Sequence, residues 1–251
     1  MKNERVKVIV EDLVDVIRGV MLKHSVTNKE FRFAIDYLNE TASNQFELEL
    51  MLQNFFEITT AEAENALHEG SASNIAGPFY LEGAPEIPNG GSIKVLDDDE
   101  HERIVIRGHI KDVKGQPIEG VKLDIWHSTS KGTYSGVHPG VPEGYYRAKL
   151  TTDADGYYEV KTSKPVPYQI PGDGNTGRLL AAMGRHCWRP AHIHFKARGE
   201  GLLEHITQAY FEGEDYVDSD CCDAVIDELV LKTEQINGES VITKDFVLDP
   251  A

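Results

Sequence analysis

Seven short runs in which apolar and polar residues alternate constrain this chain more than anything else in it: RIVIRGHI (103–110), VKLDIWHS (121–128), YYRAKLTT (145–152), YYEVKT (157–162), AHIHFKA (191–197), HITQAYF (205–211) and ESVITKDFVL (239–248). A period of two sends successive side chains to opposite faces of a strand, so each run has one face to bury and one to leave outside. Strands at this spacing, separated by Gly-rich turns, predict an antiparallel β-sandwich and a mainly β fold class. DADG (153–156) reads as a hairpin turn and LDDDEHE (96–102) as a solvated loop.

The first seventy residues follow another period. Val6, Ile9, Val10, Leu13, Ile17, Val20 and Met21 recur at helical spacing between Glu4 and His24. Thr27 with Glu30, and Thr59 with Glu62, match the capping-box pattern, predicting helices near 28–40, 45–57 and 60–69. SASNIAGPFYLEGAPEIPNGG (71–91), rich in Gly, Pro and Ser, marks the change of texture. The expected organisation is therefore an α-helical region over residues 1–75 and a β-sandwich domain over residues 76–251. Residues 164–188 form the longest candidate loop, and long loops inside compact domains tend to carry function.

A formal charge of −17, with 42 acidic residues against 25 basic ones, argues against a nucleic-acid partner and for a small molecule. No apolar run approaches the ~20 residues that span a bilayer, and no apolar h-region follows Met1. Cys187, Cys221 and Cys222 suggest no disulfide framework, which together with these absences predicts a cytoplasmic protein.

The chemistry concentrates in RPAHIHFK (189–196). On a strand His192 and His194 project from one face, while Ala191, Ile193, Phe195 and Ala197 project from the other. Two solvated histidines on a strand are the plainer reading, and a metal clamp is the sharper one. Zinc with Cys187 as third ligand would need a spacing unfamiliar for that ion. A cupin-type iron site wants a carboxylate four or five residues after the second histidine, where Arg198 and Gly199 stand. Phenolate donors are the remaining option: Tyr134 in GTYS and Tyr168 in PVPYQIP, either of which is otherwise a packed loop aromatic. A ligating phenolate requires a strongly Lewis-acidic ion such as Fe(III), because a phenol's pKa in water is near ~10.

Taken together, GTYS, PVPYQIP and RPAHIH, with GPFYLEGAP, DIWHS, GRHCWRPAHIHF and ITQAYFEG, resemble the intradiol ring-cleavage dioxygenases over most of the chain. DIWHST, WRPAHIHFK and DSDCC are most similar to the chlorocatechol branch of that family. The resemblance implies one Fe(III) per subunit held by Tyr134, Tyr168, His192 and His194. It also implies an aromatic diol and O2 as substrates, and opening of chlorocatechols to chloro-cis,cis-muconates, with catechol or hydroxyquinol as the alternative substrate. By the same resemblance Tyr168 leaves the iron to take up a substrate proton, Arg189 stabilises charge developing on the ring, and Gln208 lies beside the metal. Ile75, Pro78, Phe79, Cys221 and Cys222 match the positions that form the ring pocket. The family also implies a homodimer through the N-terminal helices, with phospholipid in the seam. The competing class is a non-catalytic, transthyretin-like binding module.

Overall fold

The computed structural model describes residues 3–251. Contacts divide the chain into two compact units, one ending at Leu48 and one of Glu49–Ala251. The first holds helices α1 (Glu4–Lys23) and α2 (Asn28–Ser43). Asn3 caps α1 by accepting from the Val6 N–H at 3.2 Å. Thr27 and Glu30 close the predicted capping box at the start of α2, each side chain satisfying an otherwise orphaned N–H. No residue of α1 is buried, so its apolar row stands exposed.

The second predicted capping box does not form. Helix α3 (Gln45–Leu52) continues through a π-helical turn, Gln53–Glu57, into α4 (Ile58–Asn65). Thr59 therefore lies inside a continuous helix and caps nothing. Its neighbour Thr60 donates its hydroxyl to the Glu57 carbonyl at 2.7 Å, the back-bonding usual for a hydroxyl in mid-helix.

The alternating runs become strands, and the alternation builds two sheets. One joins β1 (Arg103–Asp112) and β4 (Tyr157–Ser163) with β10 (Glu234–Ile236), β11 (Glu239–Thr243) and β12 (Phe246–Leu248). The other runs β3 (Arg147–Thr151), β2 (Lys122–His127), β7 (His192–Arg198), β8 (His205–Phe211), β9 (Val230–Leu231). Their inner faces merge in one core that includes Ile104, Ile106, Leu123, Ile125, Val160, Ile193, Phe195 and Phe246. This is the expected sandwich, with an amendment: β1 pairs parallel with β11 and β12, and β8 pairs parallel with β9.

Three local expectations change. DADG makes a tight turn, with Asp153 accepting from the N–H groups of Asp155 and Tyr157, but it links β3 to β4 across the two sheets and forms no hairpin. In LDDDEHE, Asp99 is buried and accepts from Tyr146 at 2.7 Å and Ser163 at 2.9 Å. Residues 164–188 carry structure of their own: β5 (Tyr168–Gln169), α5 (Asn175–Ala182) and the start of β6 (Trp188–Arg189), with β5 and β6 paired.

Burial also sets a pH dependence. Desolvation pulls the His205 imidazole down to about 4, with the charge on Lys244 adding to the effect. In the unfolded chain the same ring takes a proton near ~6.5. As pH falls from ~6.5 toward 4, the unfolded state binds a proton that the folded state refuses, so stability is lost over that window. His205→Gln should lose less of its urea midpoint between pH 7 and pH 5 than the unmodified chain does; equal losses would remove His205 from this account.

Candidate metal centre

The outer face of the second sheet is built by register. Strand β7 pairs His192 with Tyr210 and His194 with Gln208 on β8, and pairs His194 with Trp126 on β2. Because side chains alternate, these residues share one face, opposite Ile193 and Phe195 in the core. The Trp126 indole stacks on the His194 ring at 4.7 Å with planes 3° apart, which fixes the ring's orientation. His192 is fixed by a hydrogen bond: its Nδ1 lies 2.8 Å from the Pro190 carbonyl. That contact places the proton on Nδ1 and leaves the Nε2 lone pair turned inward.

Two loops bring phenols to the same point. Tyr134, fully buried, places its Oη 3.5 Å from His192 Nε2. The Nε2 atoms of His192 and His194 are 3.1 Å apart. Tyr168, paired with Arg189 across β5 and β6, hydrogen bonds to Tyr134. Gly132 permits its approach: φ is +73°, and a Cβ there would stand 2.7 Å from Tyr168 Cβ. The structure thus brings together all four predicted ligands.

Burial keeps this set neutral. Desolvation pushes the Tyr134 phenol well above its usual range, aided by neighbouring Tyr168. It pushes Tyr168 up to about 12, against the opposing pull of Arg189. It also holds both histidines well below the usual imidazole range. Neutral imidazoles and buried phenols suit a strongly Lewis-acidic cation, whose charge offsets the cost of ionising the phenols. Separations near 3 Å are also what donors show when each sits about 2 Å from one ion. His194 Nδ1 is buried without a partner, so the polar contact of that ring is made by Nε2 toward His192. The residues fit a ferric ion.

Arg189 is buried, not on a solvated edge. Its Nε and Nη2 meet Asp220 at 3.1 and 3.0 Å, and Nη2 also donates to Gln208 Oε1 and Tyr210 Oη, each at 3.1 Å. Nη1 lies 3.3 Å from His192 Nε2. Gln208 in turn donates to the Ile75 carbonyl at 2.7 Å, tying the network to the loop that carries the pocket residues. Of those, Ile75, Phe79, Cys221 and Cys222 fall in one buried cluster with Tyr134 and Tyr168, and Phe79 stacks on Tyr134 at 4.4 Å. Pro78 is exposed and lies outside the cluster.

Sequence reasoning missed Asp220, Trp126 and Tyr210. Tyr210 was within reach, since it stands two after Gln208 on the same strand face. Asp220 and Trp126 lie inside DSDCC and DIWHST, but only the fold shows what they touch. Cys187 does not join the histidines: among the described residues, the grouping of three or more His, Cys, Asp or Glu ligand atoms within 4.8 Å is Asp220, Cys221 and Cys222. Asp220 there is engaged by Arg189. That removes the zinc alternative.

A family model described as Dioxygenase matches residues 75–250, and one described as Catechol dioxygenase N terminus matches residues 3–71. The chlorocatechol 1,2-dioxygenase of Pseudomonas sp. (strain P51) is 43% identical, over 99% of this chain and 98% of its own. The solved chlorocatechol 1,2-dioxygenase of Pseudomonas putida superposes with a TM-score of 0.92 at 43% identity, covering 98% of this chain and 99% of the other. The hydroxyquinol 1,2-dioxygenase structure from Pseudomonas putida DLL-E4 gives a TM-score of 0.91 at 28% identity, covering 100% and 94%.

The Arg189–Asp220 pair is testable by itself. Removing one partner of a buried ion pair costs about 3–5 kcal/mol, because the other charge is left uncompensated. Asp220→Asn should lower the unfolding free energy by about that amount in urea; a change within error would show that the carboxylate charge is not needed.

Proposed function

Because the chain belongs to the catechol dioxygenase family of intradiol ring-cleaving enzymes, we propose that Tyr134, Tyr168, His192 and His194 hold one ferric ion per subunit. We propose further that the enzyme opens chlorocatechols between their hydroxyls with O2, giving chloro-cis,cis-muconates. The convergence of two phenols and two imidazoles at one buried point carries this reading. Ferric iron held by these four residues would supply Lewis acidity, withdrawing electron density from a bound diol and activating its ring toward O2.

The chain's own residues supply the rest. Tyr134 is fully buried and anchored by stacking on Phe79. Tyr168 sits at the end of a two-residue strand with 8% of its surface exposed, so it is the phenol better placed to move. With its phenol pushed up to about 12, Tyr168 would be a strong proton acceptor in its phenolate form. Tyr168 Oη therefore takes a proton from the incoming diol. Arg189, held by Asp220, Gln208 and Tyr210, keeps a fixed positive charge beside His192, where it stabilises negative charge developing on the ring. Ile75, Phe79, Cys221 and Cys222 wall the ring, with Pro78 at the exposed margin.

The exposed apolar side chains of the first unit, among them Leu13 at 56%, Ile17 at 50% and Phe33 at 69%, favour a homodimer through these helices, with phospholipid filling the seam. On this reading residues 1–75 serve association and residues 76–251 the chemistry, while Leu50, Ile58 and Ala61 lend apolar surface to the site. No helix among the described residues is long and apolar enough to cross a membrane. Three unpaired cysteines accord with the reducing cytoplasm.

Formation of the muconate from a chlorocatechol, followed by its ultraviolet absorbance, tests the reading. Tyr168→Phe should lower kcat by at least about a hundredfold, the loss expected for an essential proton acceptor. A variant with full turnover would contradict it. Preference for catechol or hydroxyquinol over chlorocatechol would assign the alternative substrate.

A further inference from the structure

A second buried guanidinium lies in the same cross-strand row as the site. Strand β3 pairs Arg147 with Trp126, and Trp126 pairs with His194, so Arg147 stands on the site face of the sheet, two strands from that imidazole. It is 3% exposed. The residue before it, Tyr146, holds φ at +53°, and this left-handed bend is braced by the Tyr146 hydroxyl, which donates to Asp99 and accepts from the Leu96 N–H.

Where Arg189 has Asp220, Arg147 has only neutral acceptors. Its Nε donates to Ser135 Oγ at 2.7 Å, Nη1 to the Phe79 carbonyl at 3.1 Å and Nη2 to the Ser135 carbonyl at 2.7 Å. Among the described residues no carboxylate forms an ion pair with it. A buried charge without a counter-charge is costly. Burial pulls this guanidinium below its usual range, and the groups that draw it back are the phenols of Tyr134 and Tyr80 when ionised. Tyr80 is held protonated by burial and by the nearby Asp124 carboxylate, which leaves Tyr134. The hydrogen bonds aim the charge at that phenol: Ser135 follows Tyr134 in the chain, and the Phe79 ring stacks on the Tyr134 ring at 4.4 Å.

We propose that Arg147 is a positioning residue for the metal centre, which holds Tyr134 through Ser135 and Phe79 and serves as the fixed counter-charge of the Tyr134 phenolate. The inference rests on the iron-binding reading of the site. A positive charge nearer to the phenolate than to the iron lowers the energy of the phenolate electrons more than that of the metal orbitals that receive them. The phenolate-to-iron absorption therefore lies at shorter wavelength than it would without Arg147.

The test is the visible spectrum of the iron-loaded protein with and without that charge. Arg147→Gln keeps N–H donors and removes the charge, and its band should move to longer wavelength by roughly 10 nm or more, the size of a partly screened single-charge effect. A band that stays in place or moves the other way overturns the proposal, because loss of a purely structural clamp leaves no such signature. Arg147→Lys keeps the charge and should hold the band of the unmodified protein. Should Arg147→Gln not fold, Arg147→Lys decides alone, and a band displaced as far as predicted for the neutral variant overturns the proposal. Failure of the underlying reading is distinct: the unmodified protein would then show no phenolate-to-iron band at all.

Discussion

One strand serves two masters, and the rest of the structure follows from that. Strand β7 presents Ile193, Phe195 and Ala197 to the core of the sandwich and His192 and His194 to the site. A one-residue slip in register would exchange the faces, burying imidazoles among isoleucines and turning Phe195 toward Tyr134 and Tyr168. The hydrophobic effect that closes the sandwich therefore also aims the histidines. It does so for their neighbours too, since Trp126, Gln208 and Tyr210 reach the site by cross-strand pairing with the same two residues.

What the sheet cannot supply comes from loops, and Arg189 binds the loops to the sheet. A guanidinium this deeply buried needs partners at each of its faces. It finds them in the carboxylate of Asp220, the amide of Gln208 and the phenol of Tyr210. Asp220 in turn accepts from the backbone N–H groups of Cys222 and Ala224, so the pocket wall at Cys221 and Cys222 is shaped around that carboxylate. The buried Arg189–Asp220 pair is thus also the centre about which the segment Cys221–Ala224 folds.

Much of this was legible beforehand because it depends on period and spacing. The alternation of β7 announced the two faces, Thr27 and Glu30 announced a helix start, and Tyr134, Tyr168, His192 and His194 stood in recognisable words. Thr59 misled because a capping box is a local signal, while the continuity of the helix is fixed by the burial of Leu50, Ile58 and Ala61 in the second unit. The segment 164–188 read as a loop because strands of two residues have no periodicity to detect, although pairing Tyr168 with Arg189 is what sets the phenol beside the histidines. Arg147 gave no signal at all, since a guanidinium met only by neutral acceptors is a property of packing.

Two phenols and two imidazoles that close on one ferric ion should colour the protein. The visible absorption spectrum of the iron-loaded protein, taken before and after anaerobic addition of catechol, should show a phenolate-to-iron band that moves to longer wavelength as the diol binds. A protein that stays colourless after ferric loading would contradict that coordination.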